Sequence, residues 1–325
     1  MKPRSNILKV SVIIPLYNQA RFIERAISSA LAQNETAEVV VVNDASTDDG
    51  VERVERIISE DQRVKLISQK GKTPKGAGAA RNLGIKNSHQ TFIAFLDADD
   101  YMLANRFKRT AEFFELNPNA DAVCEALGYE SNKRVTMMSK SVPPNRVFFE
   151  MEPFGNSGHF SVCGLTVKAH SARELGGFSE KLVIGEDTEW LTRLVLSNEV
   201  VVGNLSDPVA IGGIHDSNTT ITSDRHPKDK PRMTALLLVW AKNSRQSWEV
   251  LKVLVDLHLK YHYEENRLNS TKSAWKKKRE DLKQIFFLTR LNSDLLKVPK
   301  VKYFIRTVLG LPVKTHLDYY RSSDS

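Results

Sequence analysis

Residues 91–101 read Thr91-Phe92-Ile93-Ala94-Phe95-Leu96-Asp97-Ala98-Asp99-Asp100-Tyr101, an apolar run of strand length followed at once by three carboxylates. A continuous apolar run bounded by polar residues predicts a strand buried on both faces of a parallel sheet. The crevice at the carboxyl end of such a strand is where open α/β sheets bind ligands. Three carboxylates gathered there repel one another without a cation. Hard divalent ions such as Mg²⁺ or Mn²⁺ take oxygen ligands and share them with substrate phosphates. The stretch therefore predicts a metal–phosphate site at the end of this strand. Read alone, it also fits a solvated acidic turn before a helix from Leu103, and the rest of the chain has to decide.

On its N-terminal side, Val10-Ser11-Val12-Ile13-Ile14-Pro15-Leu16-Tyr17-Asn18 has a buried-strand pattern that turns at Pro15. Arg21 to Gln33 places Phe22, Ile23, Ala26, Ile27, Ala30 and Leu31 at helical spacing. Glu38 to Asn43 is a second strand, broken by Asp44-Ala45-Ser46-Thr47-Asp48-Asp49, where Thr47 or Asp48 can cap a helix running to Ser59. Val64–Ser68 is a third strand, and a helix through Ala79–Lys86 leads to the strand quoted above. Strands and helices alternating at this spacing mean βαβ units with right-handed crossovers. On the far side, Leu103–Leu116 and Glu186–Ser197 read as helices, with shorter strand-like pieces between them.

The charge is unevenly placed. Residues 228–325 hold 21 Lys/Arg against 10 Asp/Glu, which leaves residues 1–227 at −3 of the net +8. Beyond Lys228 the pattern predicts only helices, at Met233–Asn243, Trp248–Tyr263, Ser273–Leu291 and Val301–Leu309, with Lys276 to Arg279 the densest basic run. The domain expectation is a body over 1–227 (nucleotide side about 8–101, acceptor side about 102–227) and a basic helical region over 228–325. Cys124 and Cys163 form no metal or redox motif, no signal-peptide core follows Met1, and no apolar stretch is long enough to span a bilayer. A cytoplasmic setting is expected, with the basic helices able to rest on the inner face of a membrane.

Two phosphate motifs fail on inspection. Gly71-Lys72-Thr73 matches the end of a P-loop, but Leu66 stands where Gly is needed, and Gly76-Ala77-Gly78-Ala79-Ala80-Arg81 lacks the third Gly of a dinucleotide fingerprint. A series of motifs succeeds where these fail. Pro15-Leu16-Tyr17-Asn18, Asp44, Ala80-Arg81-Asn82 and Asp97-Ala98-Asp99-Asp100 all fall at the same edge of a parallel sheet, followed by Gly176-Gly177-Phe178, Gly185-Glu186-Asp187-Thr188-Glu189-Trp190 and Ile214-His215. In this order and spacing, residues 8–220 resemble glycosyltransferase family 2, whose GT-A fold is α/β and Rossmann-like, with a mostly parallel central sheet.

That resemblance implies an inverting transfer from a nucleoside diphosphate sugar, with a UDP-sugar as donor and Mn²⁺ or Mg²⁺ as cofactor. It implies that Asp44 accepts the N3–H of the base, that Tyr17 packs on base or ribose, and that Pro15, Asn18, Arg81 and Asp97 complete the nucleotide site. Asp99, with Asp97 and His215, would hold the metal, while Asp100 caps the next helix. Asp187 would be the general base, and Glu186 and Trp190 would line the acceptor side, although a Trp at that helical position equally suits the core. The implied setting is polysaccharide or glycoconjugate synthesis on a glycan or lipid-linked acceptor, without nucleic acid. Two other readings compete: a binding protein that keeps the fold without catalysis, and a nucleotidyltransferase. Asp99 and Asp187 together argue against the first, because binding needs no base, and the Gly185–Trp190 motif against the second. Apolar helical faces interleaved with Lys and Arg beyond 228 suit either an anionic membrane surface or an ordinary helical cap.

Overall fold

Strand β4 (Phe92–Phe95) pairs parallel to β1 (Val10–Leu16), β1 to β2 (Thr36–Asn43), and β2 to β3 (Val64–Ser68). In the computed structural model these elements belong to the described residues, which are 8–104, 106–131, 134–137, 161–204, 206–213, 226–268 and 273–309. Side chains alternate across the pleat. Ile13, Val40, Val42 and Phe95 pack in a core on one face, while Val12, Ile14, Val39, Val41 and Ala94 pack in a core on the other. Both faces are covered, which is why these strands read as unbroken apolar runs. Helix α1 (Ala20–Leu31) buries Ile23, Ala26, Ile27 and Ala30, the stripe its spacing predicts. Helices α2 (Gly50–Glu60) and α3 (Ala77–Asn87) complete the crossovers. The N-cap of α2 is Asp49, without a side-chain cap bond, and not Thr47 or Asp48. Asp48, one residue earlier, accepts the Gly50 amide at 3.1 Å and the Ala20 amide at 2.8 Å, so it ties the start of α2 to that of α1.

Beyond β4 the sheet becomes mixed. β9 (Leu165–Lys168) inserts antiparallel between β4 and β6 (Ala122–Cys124), and β10 (Val200–Val202) pairs parallel to β6, giving the order β10-β6-β9-β4-β1-β2-β3. A smaller sheet runs β5 (Tyr101–Met102), β11 (Ala210–Gly213), β7 (Leu127–Ser131), β8 (Arg134–Met137). Helices α4 (Arg106–Leu116), α5 (Ala169–Glu174) and α6 (Glu186–Ser197) lie among these strands in sequence.

Strand β1 does not turn at Pro15; it runs through to Leu16. Leu96 donates to the Ile13 carbonyl on the β4 side, and Asp44 donates to the Leu16 carbonyl on the β2 side. Alternation then points the Pro15 nitrogen toward β4, past its last rung at Ile13–Phe95, where no partner needs the missing N–H. The proline marks the place where the sheet opens toward the site.

Residues 224–325 form a second compact unit of helices α7 (His226–Asn243), α8 (Trp248–Leu268), α9 (Ala274–Leu291) and α10 (Pro299–Leu309). Helix α7 begins well before the expected Met233 and contains Pro231. Inside this unit, buried His258 bonds Thr234 of α7 at 2.9 Å and Gln284 of α9 at 3.0 Å. His262 meets Asp281 at 2.8 Å. These polar contacts join three helices.

Close packing of α3 on β1 rests on Gly84, where a methyl group would overlap Ile13 Cγ2. Gly84→Ala is expected to lower stability by about 1–3 kcal/mol through overpacking. The urea unfolding midpoint checks this; an unchanged midpoint would mean that α3 can move aside.

Candidate active site

Parallel pairing brings the ends of β1 and β2 side by side, with Leu16 opposite Asn43. Tyr17 stands at the rim, 46% exposed. Asn18 adopts φ 51° and accepts the Thr47 amide at 2.8 Å, while its own amide donates to Ser46 Oγ at 3.2 Å. Asn tolerates this left-handed conformation better than most residues. Asp44 is buried, and its two oxygens accept the amides of Lys75 at 2.8 Å and Gly76 at 2.7 Å. It thereby fixes the loop leading into α3. A carboxylate with about four lone-pair positions can accept further bonds.

Arg81 of α3 organises the centre. Only 3% exposed, it donates from Nη2 to Asp97 at 2.7 Å and from Nη1 to Glu186 at 2.8 Å, and its guanidinium lies 5.5 Å from the Phe178 ring centroid. Burial works against its charge, but Asp97, Glu186 and Asp187 more than compensate and keep it protonated. Arg81 therefore holds the acidic cluster in the structure. The end of β4 and the start of α6, far apart in sequence, meet through this one side chain.

Asp97, Asp100 and Cys163 bring two carboxylate oxygens and a sulfur within 4.8 Å of one another, close enough to share one ion. The two hard oxygens fit Mg²⁺ or Mn²⁺. Burial and the charges of Asp97 and Asp100 hold the Cys163 thiol protonated, so it borders the pair without suiting such an ion. Asp100 is not a helix cap, as the sequence had suggested. Helix α4 starts at Arg106, and the Asp100 carboxylate accepts the Gly213 amide of β11 at 3.1 Å. Burial, with the charges of Asp97 and Asp99, raises its pKa well above the usual carboxylate range. Asp99 is half-buried, its carbonyl accepts Arg25 Nη2 at 2.8 Å, and it is not a member of that three-residue group. His215 lies outside the described residues.

Cys163 was not expected here. Antiparallel pairing of β9 with β4 sets Thr166 opposite Ala94 and carries the preceding turn to the Asp97 loop. Arg106, buried, secures that turn by donating to the Cys163 carbonyl at 2.5 Å and the Leu165 carbonyl at 3.0 Å. Tyr129 of β7 joins the same neighbourhood: burial and the charges of Asp100, Cys163, Asp187 and Asp97 all raise its phenol pKa.

The Gly176-Gly177-Phe178 turn sets the position of α6. Asn82 accepts the Phe178 amide at 2.7 Å and donates to its carbonyl at 2.9 Å, and a Cβ on Gly177 would come within 2.6 Å of Asn82 Oδ1. Arg193 binds the carbonyls of Leu175 at 2.8 Å and Gly177 at 2.7 Å. Trp190 lines no acceptor groove: it is fully buried, stacked on Phe178 at 4.7 Å with its indole N–H donated to the Gly176 carbonyl at 2.9 Å. A large ring with its one polar atom satisfied belongs in the core. Gly185, at φ 85°, precedes Glu186 and Asp187 in the first turn of α6. Glu186 is buried on Arg81 and so faces the cluster. Asp187 is half-buried, and its Oδ1 accepts the Thr188 amide at 2.7 Å.

Burial and the adjacent Asp187 push Glu186 up to about 7 from an ordinary 4.5, against the pull of Arg81. The folded state therefore favours the protonated acid. Its contribution to stability is fully present below pH 4.5 and is lost as pH rises through about 7. Glu186→Gln should flatten the fall in stability between these limits, as read from denaturant midpoints across pH. An identical slope in the variant would contradict the assignment.

The profile of glycosyl transferase family 2 matches residues 11–171, which contain the β1, β2 and β4 loops described above. An uncharacterized glycosyltransferase, EpsJ of Bacillus subtilis, is 36% identical over 144 residues, 44% of this chain and 41% of that protein. One from Rickettsia bellii is 42% identical over 110 residues, 34% of this chain and 15% of that one. The alignments thus span less than half the length of these relatives. The crystal structure of S. aureus TarS 1–349 in complex with UDP-GlcNAc is similar over 96% of this chain and 89% of that one, with a TM-score of 0.68 at 20% identity. A mannosyltransferase from Pyrobaculum calidifontis in complex with GDP-Man and Mn²⁺ is similar over 93% of this chain and 86% of that one, with a TM-score of 0.53 at 18% identity. With the mostly parallel sheet of a GT-A fold and the motifs gathered at its carboxyl edge, residues 11–171 form a glycosyltransferase family 2 domain.

Proposed function

We propose that this protein transfers a glycosyl unit from a nucleoside diphosphate sugar, with UDP as the nucleotide, to an acceptor hydroxyl, inverting the anomeric centre. The observation that carries the reading is the Arg81 bridge, 2.7 Å to Asp97 and 2.8 Å to Glu186, which seats the carboxylates at the end of β4 beside the residue preceding Asp187. A binding module has no need of a proton acceptor at that place. Similar folds bound to UDP-GlcNAc and to GDP-Man with Mn²⁺ support a nucleotide-sugar donor and a divalent ion.

In this reading Asp44, Tyr17, Asn18 and the Pro15 edge of β1 receive the nucleoside, with the Asp44 carboxylate selecting a base that offers an N–H. Asp97 and Asp100, with Asp99 at their side, would hold Mn²⁺ or Mg²⁺, which neutralises charge developing on the departing diphosphate. Asp187 takes the proton from the acceptor hydroxyl as that oxygen bonds to the anomeric carbon and the carbon–oxygen bond to the diphosphate breaks. One displacement without a covalent enzyme intermediate gives inversion. Glu186 contacts Arg81 and so positions the cluster. The acceptor we infer is a glycan or lipid-linked glycan hydroxyl, in polysaccharide or glycoconjugate synthesis at the cytoplasmic side of an anionic membrane. No helix among the described residues is long and apolar enough to cross a membrane.

Calorimetric titration of UDP, with GDP as control, with and without Mn²⁺, tests the donor side. UDP binding that depends on Mn²⁺ is expected, lost in Asp97→Ala and weakened in Asp99→Ala or Asp100→Ala according to which oxygens reach the ion. Asp187→Asn should keep UDP binding and lose about 10²–10⁴-fold in transfer rate. Binding of neither nucleotide under any metal condition would overturn the donor reading. Full activity in Asp187→Asn would remove the base.

A further inference from the structure

Helix α9 turns one wall inward and leaves the other to solvent. Leu288 and Leu291 are buried, and Asp281 and Gln284 bond His262 and His258 of α8. At about 100° per residue, Lys276, Arg279, Leu282, Lys283, Phe286 and Arg290 fall within a sector of about 120° on the opposite side. All six are exposed, Phe286 by 68% and Leu282 by 44%. Scattered exposed apolar residues need no explanation. Here Leu282 and Phe286 lie one turn apart with four cations around them. The acid bordering this sector, Glu280, is paired with Lys283 at 2.8 Å.

The chemistry of the wall narrows its partner. A second copy packed on the same face would set these cations against their own kind. A single-strand nucleic-acid site stacks successive bases on rings lining a groove, whereas this wall is one face of a single helix. An apolar pair fringed by Lys and Arg matches the boundary of an anionic bilayer, where rings enter between headgroups and cations lie over them. We propose that the outer face of α9 docks on an anionic lipid surface, with Phe286 and Leu282 entering the headgroup boundary and Lys276, Arg279, Lys283 and Arg290 contacting acidic headgroups. This deepens the membrane setting proposed above and rests on it.

Co-sedimentation of the intact protein with phosphatidylcholine vesicles, with and without phosphatidylglycerol, is the test. Binding is expected only with phosphatidylglycerol and should weaken as salt is raised. Each cation replaced by Gln should lower partitioning by about fivefold, so Arg279→Gln/Lys283→Gln should lose about 25-fold. Leu282→Ala/Phe286→Ala should lose binding at any salt, and Phe286→Trp should retain it. Far-ultraviolet circular dichroism and the thermal unfolding profile of each variant, matched to the unsubstituted protein, confirm that the helical unit carrying α9 remains folded. Failure of the intact protein to bind anionic vesicles overturns the membrane setting and this face together. Vesicle binding that these substitutions leave unchanged overturns this face alone. Concentration-dependent self-association that Phe286→Ala abolishes would assign the face to a second copy.

Discussion

Arg81, a buried guanidinium held between two carboxylates, is the point on which the rest of this centre depends. It sits on α3, whose close seat on β1 requires Gly84, and it reaches Asp97 after β4 and Glu186 at the start of α6. Removing one partner of such a group leaves a charge stranded in a low-dielectric interior, at a cost far above that of an exposed pair. Strand β4, crossover helix α3 and helix α6 are therefore electrostatically interdependent. The aromatic group of Phe95, Phe178 and Trp190 reinforces this arrangement from below, with ring centroids 4.7–5.9 Å apart.

The parallel half of the fold was legible because burial on both faces writes itself as unbroken Val/Ile runs in β1, β2 and β4. Carboxyl-end residues then follow from topology alone, so Asp44, Arg81 and Asp97 could be placed at one edge before any coordinates. The place of Asp187 in the first turn of a helix followed from the acids that open Glu186–Ser197. The second sheet was not, since β5 and β11 are too short to carry a period and pair only across distant segments.

The misreadings share a cause. Asp100 looked like a cap because its sequence neighbours lead into a helix, yet its partner is the Gly213 amide more than a hundred residues away. Trp190 suited groove or core until a carbonyl for its N–H was visible. Cys163 had no motif to announce it, because an antiparallel register, and no local spacing, carries it to Asp97 and Asp100. Local pattern reports burial well, but it does not report which distant backbone group a polar atom will find.

The antiparallel insertion of β9 also bears on how the chain reaches this state. Strands β1 to β4 and their crossover helices are complete within the first 95 residues, but the flank of β4 stays unpaired until residues 165–168 arrive. A nascent chain that pairs β1 to β4 before residue 165 is made would expose Phe92-Ile93-Ala94-Phe95 as an open apolar sheet edge, the kind of surface that recruits other strands. The same closure delivers the turn holding Cys163 to the acidic loop. During synthesis the chain would thus pass through a nucleotide-side half with an exposed edge, and burial of that edge coincides with completion of the Asp97–Asp100–Cys163 group.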